Sequence, residues 1–331
     1  MAFDNLKLEK GLYTSGKSFT QTLENIDPSE NYIGTEYEGL DAYQRQLKRF
    51  DIKVSGAYSD SVSKFFNTTD SAVLFPEYIS RSVRQGMSET NDLDKIVSTT
   101  TNIDSLDYRS IETINEAIDL EAYDVAEGAH IPEVTIKTKD KLTKLHKRGR
   151  MLVASYEAIK FQKLDLFTIT LKQIGNSIAK SQMQDAIYEL IQVASVNGAI
   201  DTTKPFNYST LVDLWTAMRP YELSTIIMGN DYLAQLLKMP EFHDAIAGLN
   251  FHGSGKMITP LGAEVVTNSE FDGLNMLIGL DKNYALEKIQ AGDVTTYFDK
   301  LIDRQLERAT ITAIAGFSCI CKDSTRLMNL Q

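Results

Sequence analysis

The chain has 331 residues, of which 43% are hydrophobic, and its formal net charge of −11 corresponds to a pI of about 5.0. This length is enough for two or more domains with substantial cores. The acidic balance argues against tight binding of nucleic acid, because such proteins present a basic surface to the phosphates. With two cysteines, no secretory signal and no apolar run of membrane-spanning length, the chain is expected in a reducing compartment and away from the membrane.

Residues 1–70 have the polar, mixed composition of an N-terminal arm and contain one amphipathic pattern. From Thr35 onward the apolar residues fall on one side of a predicted helix. This stripe consists of Leu40, Tyr43, Leu47 and Phe50. The sequence on both sides is polar, so the stripe needs a surface elsewhere to pack on. The main body of the same chain and a neighbouring subunit are the two alternatives, and we expect the neighbouring subunit to supply most of the contact.

From Ser71 the sequence takes on the character of a folded domain. Pro76 occupies the first position of a short helix predicted over residues 77–85, where a missing N–H group costs nothing. Residues 96–100 and 103–108 contain β-prone side chains and predict two strands.

Two runs of opposite charge follow each other in the middle of the chain. Residues 112–133 contain seven acidic residues and no Lys or Arg, whereas residues 137–150 contain seven basic residues and one acid. If the runs pair as a long hairpin, opposite charges face each other across the strands. Each exposed pair contributes only about 0–1 kcal/mol, so a solvated hairpin and a surface that docks on another subunit are both open. The residues that we propose for contacts between subunits are Glu121, Asp124, Glu127, Lys144, Lys147, Arg148 and Arg150.

One long helix is predicted over residues 164–193. Its apolar residues recur at steps of three and four and therefore share one face. Ser155 can cap a short helical turn over residues 156–159 before it, and Asn197-Gly198 is a typical helix stop after it. About thirty residues give a rod of roughly 45 Å. A rod of this length beside a charged arm indicates a part that touches something outside its own domain.

Residues 201–284 have the pattern of a compact α/β domain. The sequence predicts helices over 208–218 and 231–237, and strands over 224–228, 263–266 and 276–280. Further on, residues 310–321 predict a strand with one packed face. The alternating residues of that face are Ile311, Ala313, Ala315, Phe317, Cys319 and Cys321.

The motifs of catalysis and cofactor binding are missing or incomplete. Cys319 and Cys321 share a strand face, but their apolar neighbours favour buried thiols over a pair of metal ligands. The four histidines are scattered without the spacing of metal ligands. Residues 253–256 (GSGK) lack the earlier glycine and the following Ser or Thr of a phosphate-binding loop. The sequence therefore predicts no catalytic, cofactor-binding or metal site.

Several segments, taken in order, resemble the major capsid proteins of tailed bacteriophages. They are residues 71–79 (SAVLFPEYI), 126–136 (AEGAHIPEVTI), 144–150 (KLHKRGR), 154–159 (ASYEAI), 260–266 (PLGAEVV) and the closing strand over 309–323. Each motif is diffuse, and the specificity of the resemblance lies in their order and spacing over roughly residues 40–325.

The resemblance implies an α+β fold of the Hong Kong 97 type with six segments. These are an N-terminal arm (1–70), the first part of a peripheral domain (71–111), an extended β-hairpin loop (112–150), the peripheral domain with its long spine helix (151–200), an axial domain (201–284) and a return to the peripheral domain (285–331). In this family the extended loop of one subunit lies over the peripheral domain of its neighbour.

The resemblance also implies a function and partners. The chain is expected to be a structural protein that assembles through pentamers and hexamers into an icosahedral shell around double-stranded DNA, without sequence-specific binding, in the host bacterial cytoplasm. The short arm, which begins at Met1, favours a separate scaffolding protein. A portal and a decoration protein are further expected partners. Some family members crosslink a loop lysine to an asparagine. Lys137, Lys139 and Lys141 lie in that region, but the sequence identifies no asparagine partner.

Two alternatives to a viral shell are open. An encapsulin-like nanocompartment has the same fold and encloses a cargo enzyme instead of DNA. An α/β enzyme of unknown substrate is the alternative from a different class, and a pocket with converging titratable groups would favour it.

Overall fold

The computed structural model describes residues 2–13, 18–89, 92–105, 107–113, 124–128, 136–202, 205–243, 257–301 and 306–330. The α-helices in these residues are α1 (Phe19–Ile26), α2 (Ala42–Arg49), α3 (Thr69–Ala72), α4 (Phe75–Glu89), α5 (Tyr156–Phe161), α6 (Leu164–Val196), α7 (Tyr208–Ala217), α8 (Asn230–Leu236) and α9 (Pro240–His243). The strands are β1 (Val97–Ile103), β2 (Ile111–Thr113), β3 (Ile136–Thr138), β4 (Leu145–Ser155), β5 (Ile200–Asp201), β6 (Thr225–Met228), β7 (Glu264–Thr267), β8 (Met276–Leu280), β9 (Leu286–Ala291), β10 (Thr295–Leu301), β11 (Leu306–Cys319) and β12 (Thr325–Asn329).

The chain forms two compact units. Unit 1 comprises Met1–Asn91, Lys147–Lys180 and Gly292–Ile314, and unit 2 comprises Asp92–His146, Ser181–Ala291 and Ala315–Gln331. The long helix α6 and the long strand β11 each contribute residues to both units. Residues 1–70, predicted as an N-terminal arm, lie in unit 1.

The core of unit 1 is built around aromatic side chains of α4 and α6. Phe75 stacks on Tyr78 with ring centroids 6.0 Å apart, and it also stacks on Phe167 of α6 at 6.2 Å. The Tyr78 hydroxyl donates a hydrogen bond of 2.8 Å to the carbonyl oxygen of Leu164. Leu164 and Leu171 are fully buried, so the three-and-four periodicity of α6 marks the face that packs inward.

Two glycines allow α4 and α6 to approach each other closely. A Cβ atom on Gly86 would lie 2.2 Å from the carbonyl oxygen of Lys172, and one on Gly175 would lie 2.1 Å from the carbonyl oxygen of Val83. Both contacts are with backbone atoms, which cannot rotate away as a side chain can. The two helices therefore pack backbone against backbone at this crossing.

Unit 2 contains a five-stranded sheet in the order β5-β12-β8-β6-β7. Its central strands are buried on both faces, as the continuous apolar run of β6 requires. On one face Ile227 and Ile278 join a core with Leu190 of α6. On the other face Ile226 joins a core with Leu214 of α7. Successive residues of a strand point to opposite faces, so adjacent isoleucines of β6 serve different cores.

A second sheet has the order β1-β9-β11-β10, and β4 also pairs with β11. β1 and β9 are parallel, and β9 is antiparallel to residues 315–319 of β11. Residues 306–312 of β11 pair with β10. β2 and β3 form a separate two-stranded antiparallel ladder.

The structure confirms the elements with a clear period. α6 begins at Leu164 as predicted and ends at Val196, three residues beyond the predicted end, before Gly198 with a φ of 87°. The hydroxyl of Ser155 caps α5 by accepting the N–H of Ala158 at 3.2 Å. β8 has the predicted bounds, and α7, β6, α8 and β7 lie within one or two residues of theirs.

Three local predictions are wrong. β1 ends at Ile103, and the described residues 104, 105, 107 and 108 do not form the predicted strand. The amphipathic helix α2 begins at Ala42 instead of near Thr35, since Gly39 has a φ of 80° and Asp41 caps the helix by accepting the N–H of Gln44 at 2.8 Å. β11 ends at Cys319, and Cys321 is only half-buried.

Among the described residues, no helix combines the length and the hydropathy that a membrane crossing requires.

Candidate assembly surfaces

The apolar stripe of α2 lies in the core of its own chain. Tyr43 is 2% exposed and Leu47 is 7% exposed, and both belong to the core of unit 1. Phe50 is half-buried and packs against the same core, and Leu40 is half-buried. The prediction that the stripe packs mainly on a neighbouring subunit is therefore wrong for Tyr43 and Leu47, because their surface is already covered within the single chain.

A buried arginine fixes this N-terminal region. Arg45 is fully buried, and its Nε lies 3.1 Å from a carboxylate oxygen of Asp27. Its Nη1 donates to the hydroxyl of Ser29 at 2.8 Å and to the carbonyl oxygen of Leu40 at 2.7 Å. The guanidinium also lies 4.3 Å from the ring centroid of Tyr32, whose hydroxyl donates to Asp27 at 2.7 Å. A buried charge needs this many partners to offset its desolvation.

A second buried charge attaches the N-terminal region to α4. Glu77 is 3% exposed, and its Oε1 accepts hydrogen bonds from Thr20 at 2.8 Å, Arg81 at 3.1 Å and Arg84 at 3.0 Å. Arg84 also pairs with Asp293 at 2.7 Å. The hydrogen bond from Thr20 thus ties α1 to α4 within unit 1. Sequence reasoning missed these contacts because Glu77 and its partners read as ordinary surface charges.

The described residues of the two oppositely charged runs pair over a short stretch. β2 and β3 pair there, with Glu112 opposite Lys137. The basic strand β4 pairs with β11 instead. The half-buried side chains of Leu152 and Ala154 on β4 pack against the core of unit 1, and this apolar burial decides the pairing.

The proposed contact residues of the basic run lie mostly at the surface. Lys144, Lys147 and Arg150 are exposed, whereas Arg148 is half-buried. Of the acidic candidates, Asp124 and Glu127 are exposed, and Glu121 lies outside the described residues. The structure thus leaves three cations and two carboxylates accessible to another copy, without showing any contact between them.

Exposed apolar side chains follow directly after the basic run, all within unit 1. On β4, Met151 is 54% exposed and Val153 is 49% exposed. Further along, Phe161 of α5 is 73% exposed, and Leu166 and Ile169 of α6 are 55% and 52% exposed. Five large apolar residues are thus exposed within nineteen positions of the sequence, and burying them against a partner would be favourable.

Metal ligands, clefts and thiols are the features of the described residues that bear on chemistry. Among them, no group of three His, Cys, Asp or Glu residues could hold a metal ion. In unit 1 a cleft of about 230 Å³ is lined by Glu77, Arg84 and Asp293, but these charges pair with one another. Burial raises the pKa of the Cys319 thiol to about 12, which keeps it protonated and unreactive. The phosphate-loop fragment at residues 253–256 lies outside the described residues.

Comparison with solved structures identifies the fold. The chain is similar to the virus-like particle protein from Pyrococcus furiosus, with a TM-score of 0.51 and 13% identity over 76% of this chain and 98% of that one. It is similar to the capsid of the native GTA particle, with a TM-score of 0.55 and 14% identity over 73% and 90%. For the capsid of cyanophage P-SCSP1u the TM-score is 0.51, with 12% identity over 73% and 88%. The fold is therefore the α+β capsid fold of the Hong Kong 97 type.

The sequence matches the family model described as phage capsid protein over residues 138–310, which is more than half of the chain. The chain belongs to this family of phage capsid proteins. It is accordingly a structural, shell-forming protein that associates with copies of itself and is part of the virion. No curated protein sequence matches it significantly.

Proposed function

We propose that this chain assembles through hexamers and pentamers into an icosahedral shell that encloses double-stranded DNA, and that assembly takes place in the host bacterial cytoplasm. The observation that carries the proposal is the exposure of residues 147–169 in unit 1. There, exposed cations are followed by five large exposed apolar side chains. Such a surface is costly in water and gains free energy when a second copy covers it.

The acidic candidates of the loop supply the complementary charge. Asp124 and Glu127 are exposed, as are Lys144, Lys147 and Arg150. We propose that the acidic run of one copy approaches the basic run of another. An ion pair that contributes about 0–1 kcal/mol in water contributes more when neighbouring apolar side chains exclude the solvent.

The relation to DNA is one of enclosure. The formal net charge of −11 opposes tight binding to a polyanion, so DNA is held by the closed shell and not by sequence-specific contacts. A separate scaffolding protein, a portal and a decoration protein are the further partners that we propose. No described feature identifies their binding sites.

Electron microscopy of the purified protein tests the proposal. Expressed with its scaffold, the chain should form closed shells, and without the scaffold it should form free capsomers. A protein that is strictly monomeric in light scattering under both conditions would refute self-assembly. Purified shells that contain a protein cargo instead of DNA would support the nanocompartment alternative.

Charge reversal tests the role of the basic run. The triple variant Lys144→Glu, Lys147→Glu, Arg150→Glu should block assembly while the far-ultraviolet circular dichroism of the subunit stays unchanged. A matched control reverses three exposed lysines elsewhere, namely Lys53, Lys238 and Lys282, which changes the net charge by the same amount. If both triple variants assemble equally well, or fail equally, the specific role of the basic run is wrong.

A further inference from the structure

Two chain segments flank the extended loop, residues 107–113 and residues 136–143, and are called here its first and second foot. A buried carboxylate accepts hydrogen bonds from the first foot. Glu287 of β9 is 4% exposed, and its Oε1 accepts hydrogen bonds from the Thr101 hydroxyl at 2.5 Å and the Tyr108 hydroxyl at 2.7 Å. Its Oε2 accepts the hydroxyl of Ser110, which is itself fully buried. A carboxylate this deep in the protein is stable only with several donors, so these hydroxyls are held in place.

The state of Tyr108 agrees with its role as a donor. Burial, followed by the hydrogen bond to Glu287, raises the pKa of the Tyr108 hydroxyl. The hydroxyl therefore keeps its proton and donates it to the carboxylate. Tyr108 and Ser110 lie outside the regular strands, and they precede β2. Their side chains fix the position of the chain before the loop begins.

A half-buried cation contact holds the second foot, residues 136–143. The ammonium group of Lys139, one residue after β3, donates to the hydroxyl of Ser318 at 2.9 Å and to the carbonyl oxygen of Cys319 at 2.6 Å. Ser318 is 3% exposed and lies directly opposite Glu287 in the pairing of β9 with β11. The two feet are thus attached to neighbouring positions of the same sheet.

Backbone hydrogen bonds join the two feet to each other. The N–H of Lys139 donates to the carbonyl oxygen of Ser110 at 2.8 Å, and the N–H of Thr143 donates to that of Tyr108 at 2.9 Å. These bonds extend the short β2–β3 ladder down to the sheet. The feet therefore form one paired element with a side-chain anchor on each strand.

We propose that Glu287 and Lys139 form a two-point anchor that holds the feet of the loop, residues 107–113 and 136–143, as one rigid mount for the contacts of the loop with a neighbouring subunit. This inference rests on the proposed function for the identity of the partner. When the feet are ordered before assembly, less conformational entropy is lost as the subunits associate. Glu287 and Lys139 are then positioning residues, which act through the loop they hold and not by touching the neighbour.

Hydrogen exchange read by mass spectrometry tests the anchor in the full chain. Glu287→Gln keeps the shape of the side chain but puts two donors where three hydroxyls need acceptors. Lys139→Met keeps the length of its side chain and removes the ammonium group, and its half-buried position makes it the variant less prone to misfold. We expect amide exchange in residues 107–113 and 136–143 to rise about tenfold in each variant, while exchange in β6 and β8 stays unchanged.

Assembly provides the second readout, with Glu222→Gln, the same change at an exposed glutamate of unit 2, as the control. The two anchor variants should need a higher protein concentration to form shells or capsomers, and the control should not. Unchanged exchange in both feet, or faster exchange throughout unit 2, would overturn the anchor. Loosened feet with normal assembly would overturn its role as a mount. Failure of the wild type to assemble would refute the proposed function but leave the exchange test of the anchor intact.

Discussion

The crossing of α4 and α6 makes a sharp prediction about two glycines. Gly86 and Gly175 each lie in the interior of a helix, where replacement by alanine ordinarily stabilises a protein by about 1 kcal/mol. Here the added Cβ atoms would lie 2.2 Å and 2.1 Å from backbone carbonyl oxygens of the other helix. Cβ contacts in folded proteins are longer than about 3 Å, so the helices would have to move apart by nearly an ångström.

The magnitude follows from the packing around the crossing. Overpacking a close-packed core costs about 1–3 kcal/mol, and a clash with backbone on both sides belongs at or above the upper end of that range. After the helix-propensity gain of about 1 kcal/mol is subtracted, each single variant, Gly86→Ala or Gly175→Ala, should lose about 2 kcal/mol of unfolding free energy. One separation of the helices relieves both clashes, so the double variant should lose less than the sum of the two.

Urea denaturation followed by circular dichroism measures the loss, and hydrogen exchange in α4 shows whether it arises in unit 1. Gly11→Ala is the control, because a Cβ there meets no atom within 4 Å and the residue has no positive φ. It should change the unfolding free energy by no more than about 0.5 kcal/mol. If Gly86→Ala and Gly175→Ala are neutral or stabilising, the helices do not approach as closely as described and the reasoning is wrong.

Three further predictions concern the core, a thiol and the exposed surface. Arg45→Met should destabilise the subunit by about 3–5 kcal/mol in urea denaturation, because it leaves a buried carboxylate unpaired, and a loss below about 1 kcal/mol would contradict this. Burial raises the pKa of the Cys319 thiol to about 12, so this thiol stays protonated at pH 8. Iodoacetamide should therefore modify the half-buried Cys321 first in the folded protein, and both cysteines equally in urea. Faster labelling of Cys319 in the folded protein would count against this assignment. Met151→Ser with Val153→Ser should leave subunit melting nearly unchanged and weaken shells, and equally stable shells would show that this surface stays uncovered.

The sequence predicts well the elements whose signal is local. The stripe through Leu164, Leu171 and Ile178 gives the start of α6, because one helical face must be apolar wherever it packs. The alternation along β11 gives a strand whose face is buried from Ala309 to Cys319. In each case the period of the side chains is set by the geometry of the element and is independent of its neighbours.

The partners of these elements are not local, and they account for the errors. The α2 stripe is visible in the sequence, but its partners are not: the Tyr43 hydroxyl donates to the carbonyl oxygen of Leu74, 31 residues away, at 3.3 Å. Arg45 and Asp27 are 18 residues apart and resemble surface charges until the fold buries both. Glu287 is 177 residues from Ser110, and no local pattern in β9 distinguishes it from an exposed glutamate.

The pairing of β4 shows which effect decides when two signals compete. Opposite charge favoured the acidic run as the partner of the basic run, and each such pair contributes about 0–1 kcal/mol at an exposed position. Burying an apolar side chain contributes about 1.5–3 kcal/mol when complete, and Leu152 and Ala154 obtain part of this against the core of unit 1. Burial therefore places β4 on β11, and it leaves Lys147 and Arg150 exposed on a strand that is already fixed. Because that strand is already ordered within the subunit, the binding of a neighbouring copy to these charges does not incur the conformational-entropy loss of ordering the strand.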